Sequence, residues 1–361
     1  MQQRFHPLAQ ALHQADALRQ SQGRLLDAIG LGPLPTSSRI ALRLPGLQLR
    51  AYGGDPAGPV LLIVPAPIKR AYIWDLAPGI SVVERCRRHG LTVYLVEWTE
   101  AAGATLGLAD YADRMLLAAV DAILRETGHP RILLAGHSLG GTLAAIFAAL
   151  HPERIRGLVL LEAPTKFGAD AGPFAPLVAL SPVGPISEAL GSVPGSFLDL
   201  VSVAASPASF LASRWLDRLA SADDKLAFAT LLRVERWTLD ELPLPGRFFA
   251  EVVERLYRED RFLAGTLTLS GCPAAPAGLA MPLLLVMRPA SLIIPPRSVL
   301  PLFDAVPSRC KQVLRYDGDR GVALQHVGVL VGQTAHHRVW PKILRWIDKC
   351  PFKSPLGCHR G

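Results

Sequence analysis

ILLAGHSLGGTLAAIFAAL, residues 132–150, is the stretch on which the fold turns. Its first four residues form a short apolar run, and from Leu139 onward it is rich in Ala and Leu, which favour helix. Between the two lies Gly136-His137-Ser138-Leu139-Gly140, followed by Gly141. A serine raised on a tight strand-to-helix turn adopts crowded backbone angles. Glycines two positions either side remove the Cβ atoms that would clash there. The helix that follows aims its first amides at any oxyanion formed beside the serine. G-x-S-x-G alone is a weak signal, and the strand before it and the helix after it are what make it a nucleophile elbow. Ser138 is the expected nucleophile.

Working outward, short continuous apolar runs recur at 60–64, 92–96 and 158–161, in the style of parallel strands covered on both faces. Helical patterns fill the gaps at 81–89, 108–127 and 139–151. Upstream, 40–52 alternates like an antiparallel strand pair. The alternation predicts an α/β fold with a mostly parallel sheet between two helical layers. It breaks at about Pro164. From there to about Gly265 come Pro/Gly-rich loops and helical stretches at 207–219, 223–237 and 246–260. Sheet-like runs resume at 282–286 and 312–316, and a helix over 341–349 closes the chain. The expected organisation is an N-terminal helical segment (1–38), a core first part (39–164), a helical cap insertion (165–264), a core second part (265–350) and a tail (351–361). In the first of these, Leu8, Leu12, Leu18, Leu25, Leu26 and Ile29 recur at helical steps. They predict one amphipathic helix, or two with a break near Gly23, packed on its own body or mediating association as a homodimer.

Composition narrows the function. Of 361 residues, 50% are hydrophobic and 19% charged, which allows a large core and excludes general disorder. The formal charge of +8 is spread along the chain with no basic-aromatic stripe, so no nucleic-acid partner is expected. The N-terminus has no continuous apolar stretch of signal-peptide type, and the longest uncharged run, 171–187, is broken by prolines, so no transmembrane segment is expected. Five cysteines with no CxxC spacing argue against a disulfide framework or a zinc site. A cytoplasmic protein with no metal and no cofactor is the expectation.

A serine alcohol needs a base, and behind a serine elbow the chain order is nucleophile, acid, histidine. His326 follows the last strand run and an Asp/Gly-rich loop and is the expected base. His137, inside the elbow, is expected to point away. His6, His13, His89, His129, His151 and His359 are expected at the surface, and His336 and His337 in a polar stretch. The usual place for the acid is the loop after 283–286, which reads Met287-Arg-Pro-Ala-Ser-Leu-Ile-Ile-Pro-Pro296 and holds no carboxylate. Asp304 falls in a helix, and Asp317 and Asp319 sit where they would shape a turn. Glu162 ends the strand after the elbow helix, where it can reach the histidine from the neighbouring strand. A carboxylate there is costly to bury unless something holds it. Glu162 is therefore the expected acid, with Asp317, Asp319 or a more distant acid as alternatives. For the oxyanion, Leu139 offers one amide, and the loop Pro65-Ala-Pro-Ile68-Lys69 offers the other. Its prolines leave Ile68, or Ala66, to donate.

With those residues placed, the chain resembles the polyhydroxyalkanoate synthases within the α/β-hydrolases, most closely the shorter class III catalytic subunits. The likeness runs from about 58 to 348. It rests on Val64-Pro65-x-x-Ile68-x-x-x-Tyr72-Ile73-x-Asp75-Leu76, on 90–98 ending in Glu97-Trp98, and on Arg233-x-Glu235-x-Trp237-x-x-Asp240. Ile293-Ile-Pro-Pro296, His326-Val-Gly-Val329 and Val339-Trp340-Pro341 carry the C-terminal part. The resemblance implies a cysteine at the elbow, where this chain has Ser138, and an aspartate where it has Ser291. It also implies a glycine where Gln325 stands.

These residues predict an α/β-hydrolase with a helical cap that cleaves a carboxylic ester or thioester through an acyl-serine. Ser138 would attack, His326 serve as base, Glu162 orient it, and Leu139 and Ile68 hold the oxyanion. The partner is then a small acyl ester or an acyl-CoA thioester, with hydroxyacyl groups first by resemblance. The rivals are a synthase-like acyltransferase and a non-catalytic relative that binds polyester granules or a synthase subunit. Trp237 and Asp240 would line the cap entrance, or else be a core tryptophan and a helix-surface aspartate.

Overall fold

The computed structural model describes residues 2–100, 105–170 and 172–350. The tail 351–361, with Cys358 and His359, and the side chain of His6 lie outside the described residues. The core strands are β1 (Arg39–Leu44), β2 (Leu47–Gly53), β3 (Val60–Val64), β4 (Thr92–Trp98), β5 (Ile132–His137) and β6 (Ile155–Leu161). The cap carries a two-residue hairpin, β7 (Ser192–Val193) with β8 (Leu244–Pro245). After it come a small hairpin, β9 (Leu267–Leu269) with β10 (Cys272–Ala274), and two more core strands, β11 (Leu283–Met287) and β12 (Lys311–Arg315). Neither hairpin has a readable sequence pattern, because runs of two or three residues are too short to show a period of two.

Eight strands form one sheet in the order β1-β2-β4-β3-β5-β6-β11-β12. β1, β2 and β4 pair antiparallel, and every pair from β4 to β12 is parallel. The parallel strands β3, β5, β6 and β11 are buried along their whole length, which is why they read as unbroken apolar runs. The chain leaves β3 toward β4 and returns across it to β5, so a crevice opens between the carboxyl ends of β3 and β5.

Helices α1 (Gln2–Ala28), α2 (Val82–Arg88), α3 (Met115–Thr127) and α4 (Leu139–Leu150) precede the cap. Ser81 caps α2 by accepting the amide of Glu84, and Gly128, at φ +70°, ends α3 in the left-handed conformation. The cap holds α5 (Ala175–Leu180), α6 (Val183–Leu190), α7 (Gly195–Ala205), α8 (Ser213–Ala220), α9 (Lys225–Thr238) and α10 (Gly246–Glu251). The closing helices are α11 (Pro296–Ala305), α12 (Gly328–Val331) and α13 (Trp340–Lys349). No single helix among the described residues is long and apolar enough to cross a membrane.

α1 corrects one expectation. It is a single helix whose apolar residues hold it only in part: Leu12 and Leu26 are half-buried, whereas Leu8, Leu18 and Leu25, with Ile29 just beyond its end, are exposed. Its attachment is a polar stripe of Asp16, Arg19, Gly23 and Asp27. Asp16 accepts from the amide and hydroxyl of Ser196, Arg19 pairs with Glu241 and Asp199, and Asp27 pairs with Arg236. Gly23 is a close approach: a Cβ there would lie 2.9 Å from Arg236 Cζ. The stripe keeps the helical spacing, so α1 rides on the cap of its own chain through charge.

Candidate active site

The elbow is built by close approach. Ser138 sits between β5 and α4 at φ 55°, a strained conformation for a residue with a Cβ. A Cβ on Gly140 would fall 2.3 Å from the Pro65 carbonyl carbon, and one on Gly141 would fall 2.4 Å from the Ala163 Cβ. Only glycine lets α4 seat against the loops after β3 and β6. Ser138 is half-buried at the floor of a cavity of about 250 Å³. Core residues Pro65, Ile68, Leu139 and His326 line one side, and the cap closes the other with Phe174, Val183, Phe197, Phe248 and Tyr257.

The loop after β3 is fixed from both sides. From the core, Trp98 donates its indole N–H to the Pro65 carbonyl at 2.8 Å. From the cap, the Leu242 amide donates to the Ile68 carbonyl at 2.9 Å, Trp237 Nε1 donates to the Arg70 carbonyl at 2.8 Å, and Lys69 Nζ reaches Thr238 O and the Glu241 carboxylate. Leu139 is the first residue of α4, where an amide has no partner inside the helix. Trp237 is thus both a buried residue and a cavity wall. Asp240 accepts from the Tyr72 hydroxyl and from Arg236, bracing the cap against the core.

His326 lies in a single turn, 325–327, and is 9% exposed. Its Nδ1 is 3.3 Å from Glu162 Oε2. Glu162 ends β6 at φ 41°, its amide donating to the Val286 carbonyl at 2.7 Å. Its side chain is 1% exposed, and Oε1 has no hydrogen-bond partner. The Ser291 hydroxyl donates to Oε2 at 3.2 Å. Five non-glycine residues among those described have positive φ, and Ser138, Glu162 and Ala323 of the His326 loop are three of them. Backbone strain therefore gathers around this site.

Burial dominates the electrostatics. It pushes Glu162 up to about 7, against smaller opposing effects of His137, Ser291 and Arg288. It pushes His326 down to about 4. The resting pair resists charge, and Nδ1 of the neutral imidazole faces the carboxyl group.

Some expectations are corrected. His137 does not point away: its ring stacks on His326 at 4.4 Å, and its Nε2 donates to the His326 carbonyl at 2.8 Å. Burial, and then the neighbouring His326, lower its pKa to about 3, so it acts as a neutral donor. His336 is 1% exposed, bonded to Arg85 and to the Leu330 carbonyl, and packs beneath α12. His151 is half-buried against Asp113. Asp319 accepts from the Tyr316 hydroxyl and the amides of Thr334 and Ala335, while Asp317 and Asp304 are exposed. Sequence reading missed Ser291 as a partner of Glu162, although its place in the motif marks it. Among the described residues no cluster of His, Cys, Asp and Glu could hold a metal ion.

Known proteins share this fold. The family profile described as alpha/beta hydrolase fold matches residues 59–182. The poly(3-hydroxyalkanoate) polymerase subunit PhaC of Haloferax mediterranei is 30% identical over 79% of this chain, which spans 58% of that relative's length. The corresponding subunit of Allochromatium vinosum is 26% identical over 83% of this chain and 84% of its own. Among solved structures, a monoacylglycerol lipase of Paleococcus ferrophilus superposes with a TM-score of 0.54 at 16% identity, covering 84% of this chain and 99% of the lipase, a likeness of fold alone. Sheet order, elbow and sequence similarity meet in one assignment: the chain has the α/β-hydrolase fold, and its sequence similarity is to the poly(3-hydroxyalkanoate) polymerase subunits.

Proposed function

We propose that the protein is a serine acyl-transfer enzyme that cleaves a carboxylic ester or thioester of a hydrophobic or hydroxyacyl group. The observation that carries this reading is the pairing of His326 Nδ1 with the buried Glu162 carboxyl beside the cavity that Ser138 and His326 share. Ser138 Oγ attacks the acyl carbon as His326 Nε2 takes its proton. The carbonyl oxygen, now an oxyanion, receives the amides of Leu139 and Ile68. Collapse breaks the bond to the leaving alkoxide or thiolate, which takes the proton back from His326, and the acyl group stays on Ser138. Water then attacks the acyl-serine as His326 takes its proton, releasing the acid and restoring the serine. Glu162 holds Nδ1–H and balances the imidazolium that forms twice in the cycle.

The apolar cap wall suits a hydrophobic acyl chain. Cys86, Cys272, Cys310 and Cys350 are free, in keeping with a cytoplasmic setting. Similarity to the polymerases favours a second reading, in which the acyl group passes to a hydroxyl of another hydroxyacyl unit instead of water.

Intact mass after treatment with a fluorophosphonate tests the chemistry. One adduct on the wild type and none on a folded Ser138→Ala variant is expected. No adduct on the folded wild type would remove the serine reading and leave a binding role. Incubation with a 3-hydroxyacyl-CoA then separates the two outcomes, since hydrolysis yields free acid and CoA whereas transfer yields a product heavier than the acyl group.

A further inference from the structure

α8 is inside out. Trp215, Leu216 and Leu219 are 62%, 66% and 73% exposed, while Asp217 on the same helix is 8% exposed. A carboxylate takes the buried place on a helix only where strong donors meet it. Here three consecutive backbone amides do so. Gly321 N donates to Oδ1 at 2.8 Å, and Val322 N and Ala323 N each donate to Oδ2 at 2.8 Å. Gly321 at φ 73° and Ala323 at φ 56° curl the chain so that successive N–H groups converge, the backbone nest that suits an anion. The nest lies three residues before His326.

The same loop is fastened nearby. Arg320 reaches Asp223, Asp224 and the Ala220 carbonyl. A Cβ on Gly321 would lie 2.4 Å from the Ala227 carbonyl oxygen, so the loop presses on the first turn of α9. On its far side the loop is held by Asp319 with Gln325. Loop 317–324 carries no strand or helix, so these polar contacts, together with the buried side chains of Val322, Ala323 and Leu324, fix where His326, just beyond it, stands.

We propose that Asp217 is a positioning residue: the cap grips the His326 loop through its carboxylate and thereby holds the imidazole in register with Glu162 and Ser138. The proposal rests on the serine reading above. It makes the cap part of the base's support as well as the roof of the acyl cavity. A cap displaced far enough to break the three amide bonds would disarm the histidine, so the site is competent only with the cap seated.

Asp217→Asn tests this by putting an amide NH2 where a donor already points. The rate of fluorophosphonate labelling at Ser138 is expected to fall about 100-fold, the scale of a 1 Å misplacement, with reagent binding little changed. In a Glu162→Gln background the same substitution should change the rate less than threefold, because both act through the imidazole. A purely structural Asp217 would give equal effects in both backgrounds, and that result overturns the proposal. So does a wild-type rate in a folded Asp217→Asn protein. If that variant fails to fold, Arg320→Ala loosens the same loop from the rim and is expected to slow labelling several-fold; an unchanged rate would count against the clamp. The downfield proton signal of His326 Nδ1–H reads the clamp independently of serine reactivity. It should weaken or shift in Asp217→Asn even if the wild type takes no adduct, in which case the serine reading alone fails. An unmoved signal overturns the clamp.

Discussion

Two strand ends stand side by side behind His326 and do different things. β6 and β11 are parallel neighbours in register, Leu161 opposite Val286. The end of β6 delivers Glu162, a long side chain on a left-handed residue, while the loop after β11 delivers Ser291, a short one. Their terminal oxygens meet at 3.2 Å. On the proposed mechanism the imidazole needs a carboxyl oxygen near Nδ1; here β6 supplies it by the reach of Glu162, while the β11 loop brings only a hydroxyl to the same place. The β6 solution has a penalty. Its carboxyl is buried with one oxygen unpaired, and its pKa rises to about 7.

Removing the β6 acid should have the largest effect of the substitutions behind the histidine. Glu162→Gln keeps the shape but donates or accepts neutrally at Nδ1, so kcat/KM for ester cleavage is expected to fall about 10²- to 10⁴-fold. An activity within threefold of wild type would remove Glu162 from the mechanism. Stability should move the other way, and with pH. Because the folded-state pKa is raised, folding favours protonated Glu162, a contribution present below about 4.5 and lost as pH rises through about 7. Glutamine never ionises. The melting temperature of the variant relative to wild type should therefore climb between pH 5 and pH 8, and a flat difference would contradict the burial argument.

Moving the acid tests whether the two strand ends are interchangeable. Glu162→Ala together with Ser291→Asp vacates one position and puts a carboxylate on the other, whose hydroxyl already lies beside the same point. The pair should recover at least about tenfold of the activity lost by Glu162→Ala alone, as expected for residues in one network. No recovery in a folded double variant would mean that the β11 loop here cannot aim a carboxylate at Nδ1. That would leave β6 as the one workable origin.

The same contrast explains what could be read from the sequence. The elbow was legible because three glycines and two flanking periodic patterns are all local: Gly140 and Gly141 announce a close approach before any partner is known. The buried strands were legible for the same reason. Glu162 could be placed only by elimination, since its meaning depends on β11 lying next to β6, a pairing between residues more than a hundred positions apart. His137 was misjudged because the side that the last residue of β5 faces follows from the strand's place in the sheet, which residue type alone does not give. Asp217 carried no signal at all. An acid among apolar residues on a short helix reads as a solvated face until the amides of 321–323 are brought to it. The attachment of α1 by charge was hidden by leucines at helical spacing that pack on little.

The smallest expected effect concerns the serine left on the β11 side. Its hydroxyl donates to Glu162 Oε2 and accepts the Ile294 amide at 3.2 Å, so it both stabilises the ionised carboxyl and closes its own loop. Ser291→Ala removes a donor that favours the carboxylate, and the Glu162 pKa should rise further above about 7. On the proposed mechanism the active form needs Glu162 ionised and His326 neutral. Since burial holds His326 down at about 4, the acid limb of kcat/KM follows the carboxyl and shifts upward in the variant. At pH 7 the loss should be only a few-fold, and it should close by pH 9, where Glu162 is ionised with or without the hydroxyl. A loss that persisted at pH 9 would mean that Ser291 acts by holding the 291–294 loop in place and has no part in setting the charge on Glu162. An acid limb that did not move would mean that the hydroxyl is a passive neighbour, and burial without help from Ser291 would then set the raised pKa.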